Sequence, residues 1–437
     1  MRGDNQVMRV RQGGVRVTLQ KGWQALSAGA IDEWFHWGLA AFVFLLPFPF
    51  FGPDGMNISL YLLFAVWLLN RRGGHGLTSD QTVMAWAFLF YLFVAGLSIA
   101  SSSDIALSIR DFQRGPLNGL VLFLILAQGQ GNRVRLHRYF MALTYASVLI
   151  TGYGIFGMLT GRAQMDGMLT SVYGWKNELG YVLAISVTIV VWELLVTQDA
   201  ARRTGWAMLG LTQLAVLLLS YTRAALVAVA MSCCLLAVGF RRLKVLLIGA
   251  AALGALLLAG GHQIAARYLS IAQPSTYLAG TLSGRQELWH GTIAMIRQRP
   301  LLGYGFGWAL FPRTARAFAL QTGDFRATTA SHAHNLFLEV MVETGLLGLV
   351  ALCVLGGTVA WVLVKRCRAN RSGGESSREV AVLLLALYAV VGGISLTDYL
   401  LADRFGVLLW TLFACTGALA SKRSEAADLD SARRVSV

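Results

Sequence analysis

The stretch "SHAHNLFLEVMVETGLLGLVALCVLGGTVAWVLV" (residues 331–364) decides the fold class, because its character changes along its length. Its beginning is polar, with His332 and His334 near the start and Glu339 and Glu343 further along. The remainder is apolar and uncharged, which is typical of a membrane-spanning helix. The sequence therefore places histidines and carboxylates at the mouth of a predicted span.

The length of this stretch predicts a break inside it. One straight helix over residues 335–364 would be about 45 Å long at about 1.5 Å per residue, whereas the hydrocarbon core of a bilayer is about 30 Å thick. Gly345 and Gly348 are the natural break points, because glycine tolerates backbone conformations that end a helix. We therefore expect residues 335–344 to form a separate amphipathic piece outside the hydrocarbon, with the span starting near Gly345.

The composition of the whole chain agrees with a membrane protein. Of 437 residues, 56% are apolar and 14% are charged, and the mean hydropathy is +0.58. This balance is wrong for a soluble domain and typical of an all-α polytopic membrane protein. We predict about twelve transmembrane helices, at residues 34–51, 56–70, 82–101, 116–129, 138–160, 178–197, 204–220, 222–240, 243–260, 345–364, 379–397 and 405–420.

The net charge of +15 does not indicate a nucleic-acid partner, because the basic residues lie in short clusters between apolar runs. Such clusters mark cytoplasmic loops. With a cytoplasmic N-terminus, alternation of twelve spans puts every strongly basic loop inside, so we expect both termini to be cytoplasmic. The basic loops lie at residues 71–72, 133–138, 202–203, 241–244 and 365–371.

The predicted spans divide the chain into five segments. These are a cytoplasmic N-terminal segment (1–33), transmembrane helices 1–9 (34–260), a large outside loop (261–344), transmembrane helices 10–12 (345–420) and a cytoplasmic tail (421–437). Inside the outside loop, a capping-box pattern at residues 283–286 predicts the start of an amphipathic helix that Pro300 ends. One face of this helix carries Leu288, Trp289, Thr292, Ile293 and Ile296.

Polar residues that are unusual in an apolar chain all fall on the outside face in this topology. They are Arg110, Arg114, Lys176, Asn177, Arg223, Arg285, His334, Asn335 and Asp398. An arginine beside apolar spans, such as Arg223, is costly unless it is paired or binds a ligand. Guanidinium groups match phosphate oxygens, so Arg223 and Arg285 indicate a phosphate-bearing lipid. The alternative is that Arg223 reaches the membrane surface or pairs with Asp398.

His334 lies at or just before a predicted helix N-terminus, where the helix dipole favours a neutral ring suited to a general base. The alternative is a histidine that caps the helix without chemistry, and His332 competes for the role of base. Glu339 and Glu343 either orient the histidine or face water, and solvated acids are the default. We expect no metal, because two histidines at i and i+2 with distant acids do not form a known ligand spacing.

The stretch "HNLFLEVMVETGLLG" (334–348) resembles the pattern of the O-antigen ligase and polymerase superfamily. That pattern is His, then Asn, Ser or Gln, nine residues and Gly, and here it falls on His334, Asn335 and Gly345. The stretch "SGRQELWHGTIAMIRQRPLLGYGFG" is similar to the superfamily's Gly-Arg helix, followed by Pro and a Gly-x-Gly loop. "SYTRAAL" is similar to its Ser-x-x-Arg element, at Ser220 and Arg223.

The resemblance implies glycosyl transfer from an undecaprenyl-diphosphate glycan at the periplasmic face of the bacterial inner membrane, without a cofactor. The acceptor is lipid A–core in the ligases and another lipid-linked repeat unit in the polymerases. His334 would be the base that activates the acceptor, and Arg223 and Arg285 would hold the diphosphate. The further candidates, in looser patterns, are Asn177, Arg110, Asp398, His332 and Asn335.

An O-antigen ligase is the first interpretation, because the His-Asn-x9-Gly spacing and the twelve-span layout favour it. A polymerase is the alternative, and Leu349 supports it, because ligases often have Thr or Val after the second glycine. A protein-glycosylating relative usually has a larger soluble extension than the stretch after Ala420. A transporter of lipid-linked glycans is the alternative from another class of protein. It would place its polar residues near the bilayer midplane, often with internal repeats, whereas here they cluster at one face.

Overall fold

The computed structural model describes most of the chain. The described residues are 30–70, 76–128, 133–162, 164–165, 167–259, 282–368 and 375–421. The predicted N-terminal segment 1–33, the start of the outside loop 261–344 and the predicted tail 421–437 therefore lie largely outside the described residues.

The described chain is almost entirely α-helical, as the composition predicts. The helices are α1 (30–45), α2 (Pro53–Asn70), α3 (Ser79–Ser98), α4 (Ile105–Phe112), α5 (Asn118–Gln128), α6 (Arg133–Thr160), α7 (Lys176–Val196), α8 (Ala200–Leu219), α9 (Arg223–Gly239), α10 (Lys244–Ala259), α11 (Leu282–Gln298), α12 (Phe311–Thr322), α13 (Leu336–Arg368), α14 (Glu375–Ser395) and α15 (Asp403–Leu419). Two short strands, β1 (Gln164–Met165) and β2 (Met168–Leu169), pair antiparallel.

A helix lies at each of the twelve predicted spans. Within the described residues, five helical segments are long and apolar enough to cross a membrane: Ser79–Ser101, Arg133–Thr160, Lys176–Val196, Leu336–Arg368 and Ser377–Ser395. Shorter apolar helices occur at Arg223–Gly239, Leu246–Ala259 and Arg404–Leu419. The protein is therefore an all-α, multi-pass membrane protein, and the count of twelve crossings stays a prediction.

The division between α8 and α9 lies where polar residues interrupt the apolar run. Tyr221 adopts a positive φ of 53°, and the helix restarts at Arg223. The Ser220 hydroxyl donates to the Leu217 carbonyl at 2.7 Å and so satisfies one of the backbone groups that the break leaves open. The break presents the N-terminus of α9 beside that of α7, because the Thr222 hydroxyl donates to the Lys176 carbonyl at 3.1 Å.

Helix α7 lies at the centre of the bundle and packs against α6, α8, α9 and α14. Most of its side chains are buried. Among them is Ser186, whose hydroxyl lies 2.6 Å from that of Ser147 on α6 and donates to Oε1 of Gln213 on α8 at 3.0 Å. Gln213 closes the triangle by donating to Ser147 at 2.8 Å. Buried polar groups in an apolar bundle are stable only when partnered in this way.

Helix α13 is broken at Gly345, as its length predicts. Gly345 has φ 67° and ψ −165°, which interrupts the helix between a first half (336–344) and a second half (346–368). The second half packs against α3 and α14. The break leaves backbone groups without helical partners, and these groups need partners from another segment.

The glycine-rich loop at residues 301–308, together with Pro300 directly before it, supplies those partners. Four backbone hydrogen bonds join it to the break: Tyr304 N to Val342 O (2.8 Å), Gly305 N to Glu343 O (3.0 Å), Leu346 N to Pro300 O (2.7 Å) and Leu347 N to Leu301 O (3.3 Å). The fit requires glycine at Gly303, where φ is 66° and an added Cβ would lie 2.4 Å from the Val342 carbonyl oxygen. The Gly-x-Gly loop therefore forms hydrogen bonds with the backbone groups that the break in α13 leaves open.

A small helical cap has its own core beside the bundle. It consists of α11, α12, the 3₁₀ turn Arg326–Thr329 and the first half of α13. Its buried residues are Leu288, Met295, Phe311, Ala315, Phe318, Ala327, Ala333 and Val342. The predicted apolar face of α11 is partly wrong, because Ile293 is exposed and Met295 is buried in its place. The spacing of Leu288, Thr292 and Met295 sets the face that packs.

Candidate active site

Asp398, in the turn between α14 and α15, is the centre of a hydrogen-bonded cluster. Its Oδ1 atom lies 2.8 Å from Nε2 of His332 and 3.3 Å from Nδ1 of His334. Its Oδ2 atom accepts a hydrogen bond from the Tyr181 hydroxyl and another from Nδ2 of Asn177 at 3.3 Å. The fold thus brings together four of the predicted candidates, His332, His334, Asn177 and Asp398, from three separate parts of the chain.

The environment of Asp398 favours the ionised form of its carboxylate. Burial raises the pKa of Asp398, but hydrogen bonds from His332 and His334 outweigh burial and hold this pKa well below its usual range. An ionised carboxylate only accepts hydrogen bonds, so the ring nitrogen that faces it must carry a proton. Nε2 of His332 and Nδ1 of His334 are the nitrogens placed to donate to this carboxylate.

The two histidines differ in the nitrogen that remains. In His332, Nδ1 lies 3.0 Å from the Ser331 hydroxyl, so both ring nitrogens have partners. In His334, Nδ1 faces Asp398, and no hydrogen bond to Nε2 occurs within the described part of the chain. The side chains of His332 and His334 are almost equally exposed, at 24% and 25%, so the partners of their ring nitrogens are what distinguish them. His334 is therefore the better placed of the two to accept a proton from a bound molecule.

Asn335 caps helix α13 directly after the histidines. Its Oδ1 atom accepts hydrogen bonds from the backbone N–H groups of Phe337 and Leu338, at 3.0 and 3.1 Å. Its Nδ2 atom donates to the Leu396 carbonyl at 3.0 Å, two residues before Asp398. Asn335 thus ties the start of α13 to the end of α14, and this contact helps to hold the cluster together.

The backbone at His334 has a positive φ of 49°, a conformation that costs a residue with a Cβ about 1–2 kcal/mol. The ring centroids of His332 and His334 lie 4.1 Å apart. The turn at His334 therefore helps to direct both rings to the same carboxylate.

The default expectation that Glu339 and Glu343 face water is wrong, because they are 0% and 3% exposed. Oε2 of Glu339 accepts the backbone N–H of Ala333 at 2.5 Å, between the two histidines. Oε1 of Glu343 accepts the hydroxyl of Tyr399 at 3.0 Å. Both acids are buried because the first half of α13 lies between the cap and the bundle. Glu339 therefore holds the backbone between the two histidines, whereas Glu343 contacts the residue after Asp398.

The two predicted phosphate-binding arginines lie on segments that adjoin the cluster. Arg223 is exposed in the first turn of α9, whose N-terminus contacts that of α7 near Asn177. Arg285 is half-buried on α11, the helix whose Trp289 contacts Ala333 between the two histidines. Helix N-termini and arginines both favour anionic ligands, and the joint binding of a phosphate by Arg223 and Arg285 stays a prediction.

Arg110 is not part of this cluster. It is exposed on α4, and none of the hydrogen bonds made by Asp398 or the histidines involves it. Its neighbour Asp111 is buried and accepts the backbone N–H of Ala309 at 3.2 Å, which anchors the glycine-rich loop. Arg114 forms an ion pair with Asp54 at 2.5 Å.

A metal ion could be held by the centre of the cluster. One ligand atom from each of His332, His334 and Asp398 lies within 4.8 Å of the others. Two imidazoles and one carboxylate are a donor set that divalent transition metals accept. This grouping was not expected from the sequence, because Asp398 is remote from the histidines along the chain.

Several side chains of the site escaped sequence reasoning. Tyr181 lies one helical turn after Asn177, a spacing that puts both on the same face of α7 and that signals their shared contact with Asp398. The sequence places Trp289 only on an apolar face, yet its indole N–H donates to the Ala333 carbonyl at 3.0 Å. Tyr399 follows Asp398, but nothing in the sequence indicates its bond to Glu343.

Comparison with known proteins gives two matches. Residues 206–353 match a family described as O-antigen ligase. Over 97 residues the chain is 33% identical to the exopolysaccharide production protein ExoQ of Rhizobium meliloti, a match that covers 22% of this chain and 22% of that relative. The family match contains Arg223, Arg285 and both histidines of the cluster. The two matches support the resemblance to the O-antigen ligase and polymerase superfamily, and the family match is confined to residues 206–353.

Proposed function

We propose that this protein is a membrane glycosyltransferase that moves a glycan from undecaprenyl diphosphate to a hydroxyl of an acceptor sugar. The observation that carries the proposal is the pairing of His334 with Asp398. Nδ1 of His334 lies 3.3 Å from Oδ1 of Asp398, which leaves Nε2 as the basic nitrogen at a partly exposed position. A carboxylate that fixes the tautomer of a histidine base is a recurrent device in group-transfer enzymes.

In the proposed reaction, Nε2 of His334 takes the proton of the acceptor hydroxyl as its oxygen attacks the anomeric carbon. The bond between that carbon and the diphosphate oxygen breaks, and undecaprenyl diphosphate leaves with the bonding electrons. Attack from the side opposite the leaving group inverts the anomeric configuration. The proton on His334 then passes to solvent or to the released diphosphate, which restores the neutral ring.

Arg223 and Arg285 would hold the diphosphate and stabilise the charge that develops on it. Their guanidinium groups stay charged at any physiological pH and form paired hydrogen bonds with phosphate oxygens. A diphosphate is a good leaving group, so it needs charge stabilisation and no protonation. We infer that the reaction needs neither a cofactor nor a metal ion.

The first candidate for the acceptor is lipid A–core, which makes the protein an O-antigen ligase that completes lipopolysaccharide. The family description supports this choice. The proposed location is the bacterial inner membrane, with both termini in the cytoplasm. The segment 261–344 and the histidine cluster would then lie on the periplasmic face, next to the headgroups of the lipid-linked donor.

A polymerase of undecaprenyl-diphosphate-linked repeat units is the second candidate. The similarity to an exopolysaccharide production protein favours it, as does Leu349 after the second glycine of the motif. Both candidates use the same donor and the same base, and they differ only in which hydroxyl enters the site.

A reconstituted assay separates these candidates. The purified protein is supplied with undecaprenyl-diphosphate glycan and lipid A–core, and products are read by gel and mass spectrometry. Glycan on lipid A–core would establish the ligase, whereas longer lipid-linked glycan with unmodified lipid A–core would establish the polymerase. If neither product forms from a donor that a known ligase accepts, the proposed function is wrong, and a transporter of lipid-linked glycans becomes the leading alternative.

A further inference from the structure

Ala333, the residue between the two histidines, forms side-chain hydrogen bonds through both its backbone N–H and its carbonyl. Its N–H donates to Oε2 of Glu339 at 2.5 Å, and its carbonyl accepts the indole N–H of Trp289 at 3.0 Å. Ala333 itself is 0% exposed and belongs to the core of the cap. The two side chains that form these hydrogen bonds come from different helices, α13 and α11.

These two hydrogen bonds fix the peptide planes on either side of Ala333. The N–H of Ala333 belongs to the peptide that begins at His332, and its carbonyl belongs to the peptide that continues into His334. Each peptide is planar, so fixing one atom of it restricts the Cα–Cβ direction of the adjoining histidine. The two hydrogen bonds to Ala333 therefore control the orientation of both imidazoles relative to Asp398.

Residues 332–334 need these hydrogen bonds because their backbone conformation is unfavourable in isolation. His334 has a φ of 49°, which a residue with a side chain rarely adopts unless its surroundings enforce it. Without the two hydrogen bonds, the chain would relax toward a negative φ and turn Nδ1 of His334 away from Asp398. A base misplaced by about 1 Å can lose about 100-fold in rate.

Glu339 holds the Ala333 backbone as a hydrogen-bond acceptor. It is fully buried, and its second oxygen, Oε1, has no hydrogen-bond partner within the described residues. Burying a polar side chain costs free energy, and a single hydrogen bond offsets only part of this cost. The contact with Ala333 is therefore the role that the structure shows for Glu339. Glutamine preserves the acceptor oxygen at this position, whereas leucine removes it with little change in volume.

Trp289 links these hydrogen bonds to the predicted phosphate site. It lies four residues after Arg285 on α11, and residues at this spacing share one face of a helix. The same helix therefore carries Arg285 and the indole N–H that donates to Ala333.

We propose that Glu339 and Trp289 are positioning residues that set the direction of the His334 base through the backbone of Ala333. This inference rests on the proposed function and adds two residues that act without touching the substrate. It predicts that their loss slows the chemical step and leaves donor binding unchanged.

The test compares Trp289→Phe, Glu339→Leu and Glu339→Gln with the wild-type protein in the reconstituted transfer assay. We expect Trp289→Phe and Glu339→Leu to lower kcat by about 10- to 100-fold, with the donor KM within about threefold of the wild-type value. Glu339→Gln should retain kcat within about threefold, because its amide oxygen still accepts from Ala333. Trp86→Phe, at an exposed tryptophan on α3, is the matched control and should behave as wild type.

Equal losses in Glu339→Leu and Glu339→Gln, or a rise in KM without a fall in kcat, would overturn the inference. Full activity of Trp289→Phe would overturn it as well, and this variant keeps an aromatic ring in the cap if Glu339→Leu fails to fold. A wild-type protein that transfers no glycan would refute the proposed function itself. Failure of the inference alone appears as an active wild-type protein, an inactive His334→Ala variant and fully active Trp289 and Glu339 variants.

Discussion

Oδ1 of Asp398 lies 3.3 Å from Nδ1 of His334, although the two residues are 64 positions apart in the chain. The contact exists because α13 and α14 pack side by side and because Asn335 donates to the Leu396 carbonyl at 3.0 Å. It places a carboxylate behind one nitrogen of the ring and leaves the other nitrogen without a hydrogen-bond partner among the described residues. This arrangement makes a buried acid at the end of a span part of the proposed catalytic apparatus.

The Asp398→Asn substitution should slow transfer severely while leaving the fold intact. The pKa of Asp398 is held well below its usual range, so the native group is a pure acceptor, whereas an amide can also donate and stabilise the wrong His334 tautomer. We expect kcat to fall by about 100-fold or more, within the range that general-base catalysis contributes. Initial rates against donor concentration measure this effect, and thermal unfolding in detergent checks the fold. A variant with wild-type kcat would remove Asp398 from the mechanism.

The glycine-rich loop offers a test of structure through a matched pair of substitutions. Gly303 and Gly323 both have positive φ, 66° and 75°, but only at Gly303 does an added Cβ meet backbone, 2.4 Å from the Val342 carbonyl oxygen. Both Gly→Ala changes incur the cost of the backbone conformation. We expect Gly303→Ala to be destabilised by about 1–3 kcal/mol more than Gly323→Ala, because the loop must move. Equal unfolding midpoints of the two variants would show that the loop does not bind the break as described.

The position of the break at Gly345 was predictable, because a continuous helix over 335–364 exceeds the thickness of a bilayer. The helices at the predicted spans follow equally directly from apolar runs between polar or basic segments. These features depend on local composition and on length, which a single sequence contains.

The contacts of Glu339 and Asp398 were not predictable in the same way. The burial of Glu339 depends on a cap that packs over it, and the partners of Asp398 depend on how three distant segments meet. The sequence predicts that His332, His334, Asn177 and Asp398 lie on one side of the membrane. It contains no information on the distances between them, and a glutamate at a helix surface is solvated by default.

Donor recognition should depend on Arg285 more than on other basic residues of the same helix. Removing a hydrogen bond to a charged group costs about 1.5–3 kcal/mol, so we expect Arg285→Gln to raise the donor KM by roughly 10- to 100-fold. Arg285→Lys should recover part of this loss, because a point charge remains without the paired geometry. Arg297→Gln, in the last turn of α11, is the control and should leave the KM unchanged. Similar effects of the two Arg→Gln changes would indicate a general electrostatic attraction in place of a specific site.

Metal removal distinguishes a histidine base from a metal centre. Ligand atoms of His332, His334 and Asp398 lie within 4.8 Å of one another, so the cluster has the composition of a metal site. We expect transfer to proceed at an unchanged rate in EDTA. Added Zn²⁺ should inhibit it, because a bound cation displaces the protons shared with Asp398 and occupies the imidazoles. Loss of activity in EDTA with recovery on adding Zn²⁺ or Mn²⁺ would instead make these three residues metal ligands.

The most direct test of the central claim is the single-turnover rate of glycan transfer by wild type, His334→Gln and His332→Gln, each saturated with undecaprenyl-diphosphate glycan. If Nε2 of His334 accepts the proton of the acceptor, His334→Gln should be slower by about 100- to 10,000-fold. His332→Gln should lose less, because both ring nitrogens of His332 are already engaged and its part is to hold Asp398. A His334→Gln variant that transfers glycan at the wild-type rate, or one that is faster than His332→Gln, would contradict the assignment of His334 as the base.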